Sequence, residues 1–305
     1  MENHLHDPSP EVVDDLPSED YHANPALGSS GLKEIDRSPA HYFAAYLDPD
    51  REPSDDDTPA KKIGRAVHCA ILEPAEFDNR YTAIPEGLGR RTKEGKALWN
   101  EIVASGREPL PAQQLETVLA TARGAQRVPV SRLLFGHARG RCERSIFWTD
   151  PATGVRYKVR PDYLIEPCSD FPNGLILDVK TAEDASPEGF GKSAWTYEMH
   201  LAAWLYPEGF MRAYGTAEPP EFLWLAVEKS RPFAAAYYHP TPAVTAYGRR
   251  EVARLTSIYL ECQRTGRWPA YGDTIQPLTL PKWAERQIEA NDNEEIESIG
   301  YVEGA

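Results

Sequence analysis

The sequence predicts an α/β fold with a central mixed β-sheet flanked by helices. Three observations carry that expectation. Apolar residues in the first half of the chain recur at helical spacing; the middle, from Cys142 to Val179, alternates or runs apolar as strands do; and helix, strand, strand and long helix then follow. With 305 residues, 41% of them hydrophobic, the chain can bury a substantial core. One domain is expected over 29–285, between a flexible acidic lead-in (1–28) and an acidic tail (286–305).

Order begins at Ser29-Ser30-Gly31-Leu32, where a serine can cap a helix through Ile35. Ser38-Pro39 opens another helix, with proline at the tolerated first position and Tyr42, Phe43 and Tyr46 on its apolar side. The acidic segment 48–60 is a loop. Lys62 to Leu72 places Ile63, Val67, Ala70 and Ile71 on a buried stripe with His68 at its edge, and Gly64 is small enough to let another backbone approach. By pattern alone, His68 reads as a boundary histidine. Helices are expected around Lys93 to Ala104, from Pro111 to Gln126 and over Val128 to Phe135.

Cys142 to Trp148 alternates as one strand, Asp150-Pro151-Ala152-Thr153-Gly154 supplies a turn, and Val155 to Val159 returns as the second arm of a hairpin. Asp162 lies just beyond that arm. Leu175 to Val179 is a strongly apolar strand, Ser193 to Tyr206 a helix, Glu221 to Val227 a strand, Tyr237-Tyr238 part of another, and Pro242 to Arg264 a long helix.

The four cysteines are scattered without zinc spacing, which fits reduced thiols of a cytosolic protein. No apolar stretch approaches the roughly 18 to 20 residues that span a bilayer, and the polar, acidic N-terminus is unlike a secretory signal. A cytoplasmic location is the working expectation. The formal net charge of −14 argues weakly against a surface coated for nucleic acid, but the carboxylates crowd into three segments while 90–96 and 123–144 are basic. A local groove can therefore be positive.

Asp178 and Lys180 stand two apart on the apolar strand, so a period of two points both to one face. Asp162 offers a second carboxylate. Such hard oxygens suit Mg²⁺ or Mn²⁺, Val179 can add its backbone carbonyl, and Lys180 can orient or help deprotonate a water. A charge placed after Leu175-Ile176-Leu177 is costly unless a metal or cation meets it. Glu143 is an additional ligand candidate because its strand leads by the hairpin to Asp162. Arg90, Arg91, Lys93 and Lys96 read equally as phosphate contacts or as solvated charge. Thr181 contacts a ligand or caps the strand end; Tyr197 and His200, with Trp204 one turn on, share a helix face that either borders the site or packs on the sheet.

Together these segments resemble the PD-(D/E)xK nuclease superfamily, in particular phage and prophage exonucleases like the C-terminal domain of exodeoxyribonuclease VIII. The resemblance is carried by Ser29-Ser30-Gly31-Leu32 with Ser38-Pro39, Gly64-Arg65-Ala66-Val67-His68, Arg91-Thr92-Lys93-Glu94-Gly95-Lys96, Glu143 before Ser145-Ile146-Phe147-Trp148, Arg160-Pro161-Asp162, Asp178-Val179-Lys180-Thr181, Val227-Glu228-Lys229 and Leu280-Pro281-Lys282-Trp283. It implies a restriction-endonuclease-like core, with His68 a metal-site residue, Asp162 and Asp178 the principal ligands, Glu143 an auxiliary one and Lys180 the catalytic lysine. It further implies Mg²⁺-dependent degradation of double-stranded DNA from an end, from 5′ to 3′, leaving 3′ overhangs for a single-strand-annealing recombinase, and a ring-like homo-oligomer. The sequence departs from the family at His200, where glutamine is usual.

Overall fold

The computed structural model describes residues 9–51, 58–88, 91–272 and 274–300, with side chains to 291. The chain divides into one unit ending at Trp268 and a second beginning at Pro269.

In the first unit the strands are β1 (Glu11–Val13), β2 (Tyr81–Ile84), β3 (Glu108–Pro111), β4 (Gly140–Cys142), β5 (Ser145–Thr149), β6 (Arg156–Val159), β7 (Tyr163–Ile165), β8 (Leu175–Ala182), β9 (Glu221–Glu228) and β10 (Ala235–Tyr238). The helices are α1 (Ser18–Ala23), α2 (Ser29–Arg37), α3 (Pro39–Tyr42), α4 (Pro59–Leu72), α5 (Phe77–Arg80), α6 (Lys93–Ala104), α7 (Ala112–Gln126), α8 (Ser131–Leu134), α9 (Pro187–Thr196), α10 (Met199–Tyr214) and α11 (Pro242–Thr265). The second unit carries α12 (Lys282–Gly300). A recurring signal starts the helices: Ser38, Thr58, Ser186 and Thr241 each accept a backbone N–H from the first turn, with proline directly after. The expected serine cap of α2 is instead Gly28, without a side-chain hydrogen bond.

The central sheet runs β10-β9-β8-β7-β4, parallel only between β8 and β9, so it is mixed as expected. A second sheet runs β1-β5-β6, and β2 and β3 form a parallel pair. Both faces of the central sheet are covered. Ile176 of β8 packs into a core with Leu32, Leu201, Leu205 and Phe210 from α2 and α10. Leu175, Leu177 and Val179 pack oppositely, with Val67 and Ile71 of α4 and Val118 and Ala122 of α7. This alternation fixes where the charged residues of β8 go: Asp178 and Lys180 share the face of Ile176.

Three expectations change. The lead-in contributes, from Ser9 onward, a strand that pairs with β5 and a short helix, because β5 has an open edge that Glu11–Val13 can satisfy. The single strand expected from Cys142 to Trp148 is two strands in different sheets, broken at Glu143, which adopts a left-handed φ of 50°. The single helix expected over 193–206 belongs to two, α9 and α10, separated by Tyr197 and by Glu198 at φ 49°.

Candidate active site

The chain crosses between the two main sheets twice, and each crossing carries a carboxylate. Glu143 lies between β4 and β5; Arg160-Pro161-Asp162 lies between β6 and β7. The Glu143 amide donates to the Asp162 carbonyl at 3.1 Å, tying the crossings together. The β7–β8 ladder stops at Tyr163 opposite Leu177, since Pro161 has no N–H to continue it. The Asp162 carboxylate takes the next place: its Oδ2 accepts the Val179 amide at 2.6 Å. Its Oδ1 lies 3.5 Å from Nδ1 of His68, presented by α4.

His68, Glu143 and Asp162 each offer a ligand atom within 4.8 Å of the others. That span fits one coordination sphere with metal–oxygen distances of about 2.0–2.6 Å; the two carboxylates suit Mg²⁺ or Mn²⁺, and the imidazole favours a softer divalent ion than Mg²⁺. His68 is partly exposed, as a boundary histidine is, and the same position brings it into this cluster. Asp178 stands beside them, close enough to Asp162 and His68 to feel their charges, and pairs with Lys180. It is buried, with Oδ2 2.6 Å from Lys180 Nζ, because neighbours at a period of two on one face are each other's nearest partners. Lys180 Nζ also lies 4.0 Å from Asp162 Oδ2 and 3.4 Å from the Val179 carbonyl, so the lysine faces the oxygen expected to serve a metal.

Burial works against the Lys180 ammonium, but the Asp178 and Asp162 carboxylates outweigh it and hold the lysine charged. Burial pushes the Asp178 carboxyl up while Lys180 opposes it. At a charge-assisted distance of 2.6 Å, the pair is read as ammonium and carboxylate. In this pairing Lys180 is a donor and an orienting charge beside Asp162. Glu143 is pushed up to about 7 by burial in its recess and by Asp162, with Arg160 opposing. Its side chain is still 48% exposed, which screens both influences, so it is the upward direction that stands.

Beside Glu143 opens a cavity of about 210 Å³, lined among others by Tyr21, Ser29, Lys158, Arg160 and Tyr206. Lys158 Nζ donates to the carbonyls of Tyr21 and Asn24, both at 2.7 Å, and burial followed by the Arg160 charge brings it down to about 8. Arg160 donates to Ser145 Oγ at 2.9 Å, lies 4.5 Å over the Tyr21 ring and reaches within 4.0 Å of Glu143. Sequence reasoning passed over this wall. Its signal was available: Arg156, Lys158 and Arg160 alternate on one face of a strand.

The nucleic-acid candidates scatter. Arg91, Lys93 and Lys96 are exposed around the start of α6, and Arg90 lies outside the described residues. Thr181 points to the face opposite Lys180. Tyr197 is 63% exposed at the α9–α10 break, off the helix that carries His200 and Trp204. His200 is buried at 8%, its ring 4.7 Å from that of Tyr247, and burial lowers its pKa. It packs where a phosphate contact was expected, because α11 lies against it.

Residues 28–280 match the model of a PDDEXK-like domain of unknown function (DUF3799). Among solved structures, a "Putative exonuclease" from Eubacterium rectale is similar over 87% of this chain and 96% of its own, with 16% identity and a TM-score of 0.53, a likeness of fold. The structure of SSO0001 covers 65% of this chain and 85% of its own at 14% identity, but its TM-score of 0.29 carries no argument. No curated protein matches the sequence.

Proposed function

The chain belongs to the family of the PDDEXK-like domain of unknown function, and on that premise we propose that it is a Mg²⁺-dependent exodeoxyribonuclease hydrolysing double-stranded DNA from an end, 5′ to 3′. The observation that supports this most directly is the convergence of His68, Glu143 and Asp162 within 4.8 Å, with Lys180 4.0 Å from Asp162. A divalent cation held there would stabilise charge on the phosphate and on the attacking and leaving oxygens. His68, Glu143 and Asp162 would hold it, with Mn²⁺ able to substitute. The protein's own residues do the rest. The Val179 amide and His68 fix the Asp162 carboxylate, Asp178 holds the Lys180 ammonium, and that ammonium donates to the water or to a non-bridging phosphate oxygen. Arg160 and Lys158 give the cavity beside Glu143 a positive wall.

The end-directed mode and its polarity draw on the sequence resemblance, and the name of the Eubacterium rectale protein, a "Putative exonuclease", is in keeping with the end-directed mode alone. The same reading carries a ring-shaped oligomer and a 3′ overhang passed to an annealing recombinase. A Mg²⁺ time course on duplexes labelled at either end of either strand tests it, with a covalently closed circle as control. Early release of the 5′ label and sparing of the closed circle are expected, with label release lost in D162A and K180A. Efficient cutting of the closed circle would sink the end-directed assignment.

A further inference from the structure

The break between α9 and α10 exposes aromatic surface next to the candidate active site. Trp195 is 66% exposed and Tyr197 63%. The Trp195 ring stacks on Tyr247 of α11, with centroids 5.7 Å apart at 29°, and Tyr247 in turn lies on His200. This layering depends on Gly248, where a Cβ would sit 2.1 Å from the His200 carbonyl oxygen, so only glycine lets α11 approach closely enough.

Cations frame the layer. The Arg250 guanidinium lies 5.5 Å over the Tyr247 ring and that of Arg249 5.3 Å over Trp204. Among the described residues, neither arginine has a carboxylate partner within salt-bridge distance. The local carboxylates are engaged elsewhere: Arg254 takes Glu251 and Asp36, and Lys192 takes Glu188.

The layer is also tied to the chemistry. Lys33 Nζ donates to the Tyr197 carbonyl at 2.6 Å, and Lys33 is close enough to Lys180 to feel its charge.

We propose that Trp195, Tyr247 and Arg250, with Tyr197 at the edge, form a stacking shelf for unpaired nucleotides of a DNA strand entering or leaving the active site. The inference rests on the nuclease reading and names the form of substrate it handles. A base offers a flat apolar face to Trp195 and carries a phosphate that Arg249 or Arg250 can meet, whereas paired bases hide their faces in the stack. The Arg249 and Arg250 cations suit a phosphate-bearing occupant better than a second copy of this chain.

Binding in chelator, by fluorescence anisotropy, separates this inference from catalysis. A labelled twelve-nucleotide oligothymidylate and a blunt duplex of the same length are titrated with wild type, W195A, W195F and R250A. Loss of one stacked base predicts oligothymidylate binding weaker by about fivefold or more in W195A, with much of it retained in W195F. R250A should weaken it too, and blunt-duplex binding should move by less than about twofold, since stacking needs an exposed base face. Unchanged oligothymidylate binding in W195A, an equal loss on the duplex, or no binding by wild type would overturn the shelf. So would self-association that W195A abolishes, which would give the face to a second copy. If wild type fails to cleave DNA with Mg²⁺ while W195A still loses single-strand binding, the nuclease reading falls and the shelf stands.

Discussion

Asp162 and Glu143 show how much of a site is local backbone. Asp162 could be read from the sequence as a carboxylate at a strand end, and Asp178 with Lys180 as a charged pair on an apolar strand. The approach of His68 to Asp162 could not be read from periodicity, because it turns on how α4 packs beside the β6–β7 crossing. Nor could the left-handed φ of Glu143, a conformation its sequence neighbours do not demand. The consequence is testable through pH. Glu143 is pushed up to about 7, so near neutrality part of the population carries a proton that a metal must displace. Below that pH the apparent Mn²⁺ affinity should fall by about tenfold per unit and level off above it, since one proton competes with one cation. Titration of Mn²⁺ binding from pH 5.5 to 8.5 reads the slope. E143Q, which has no carboxyl to titrate, should bind more weakly and flatten the profile; a slope that persists in E143Q would assign the proton to another ligand.

At the scale of elements, Thr58-Pro59 fell inside an expected loop and Ser186-Pro187 ahead of an expected helix, but the helix starts at Ser38-Pro39 and Pro242 were legible, since the cap and the fixed φ are both written in the residue types. Breaks were not. The α9–α10 junction and the β4–β5 crossing both fall on glutamates in the left-handed region, where glycine would have advertised the turn. Glycines misled in the other direction: Gly64 invited a close helix contact, yet a Cβ there meets nothing within 4 Å, while Gly248 has the His200 carbonyl 2.1 Å from the same construction. The two positions predict opposite signs for one substitution. G64A should stabilise by about 0.5–1 kcal/mol through helix propensity. G248A should destabilise by about 1–3 kcal/mol as α11 is forced from α10. Urea unfolding of both variants measures this, and equal shifts of either sign would contradict the packing described for α11.

For the whole molecule, charge sets a conflict that neither a residue nor an element resolves. The formal net charge is −14, yet the proposed substrate is a polyanion. The composition made this visible, as it did the acid-rich C-terminal tail; the unit boundary at Trp268 needed the structure, since Pro269 follows an α11 whose aromatic neighbours, Tyr259 and Trp268, close the core against Tyr42. The first unit thus holds its own core and every residue of the candidate site. Ending the chain at Trp268 should leave that unit folded and remove many of the carboxylates that repel DNA at long range. Such repulsion is screened over about 10 Å at 0.1 M salt and over about 3 Å at 1 M. The shortened protein should therefore bind duplex DNA more tightly than the full chain at 0.05 M salt in chelator, and the difference should shrink to nothing by about 0.5 M as the screening length falls. A difference that survives high salt would mean that the removed residues act through a specific contact rather than through charge. Weaker binding by the shortened chain at every salt concentration would mean that they help to hold DNA.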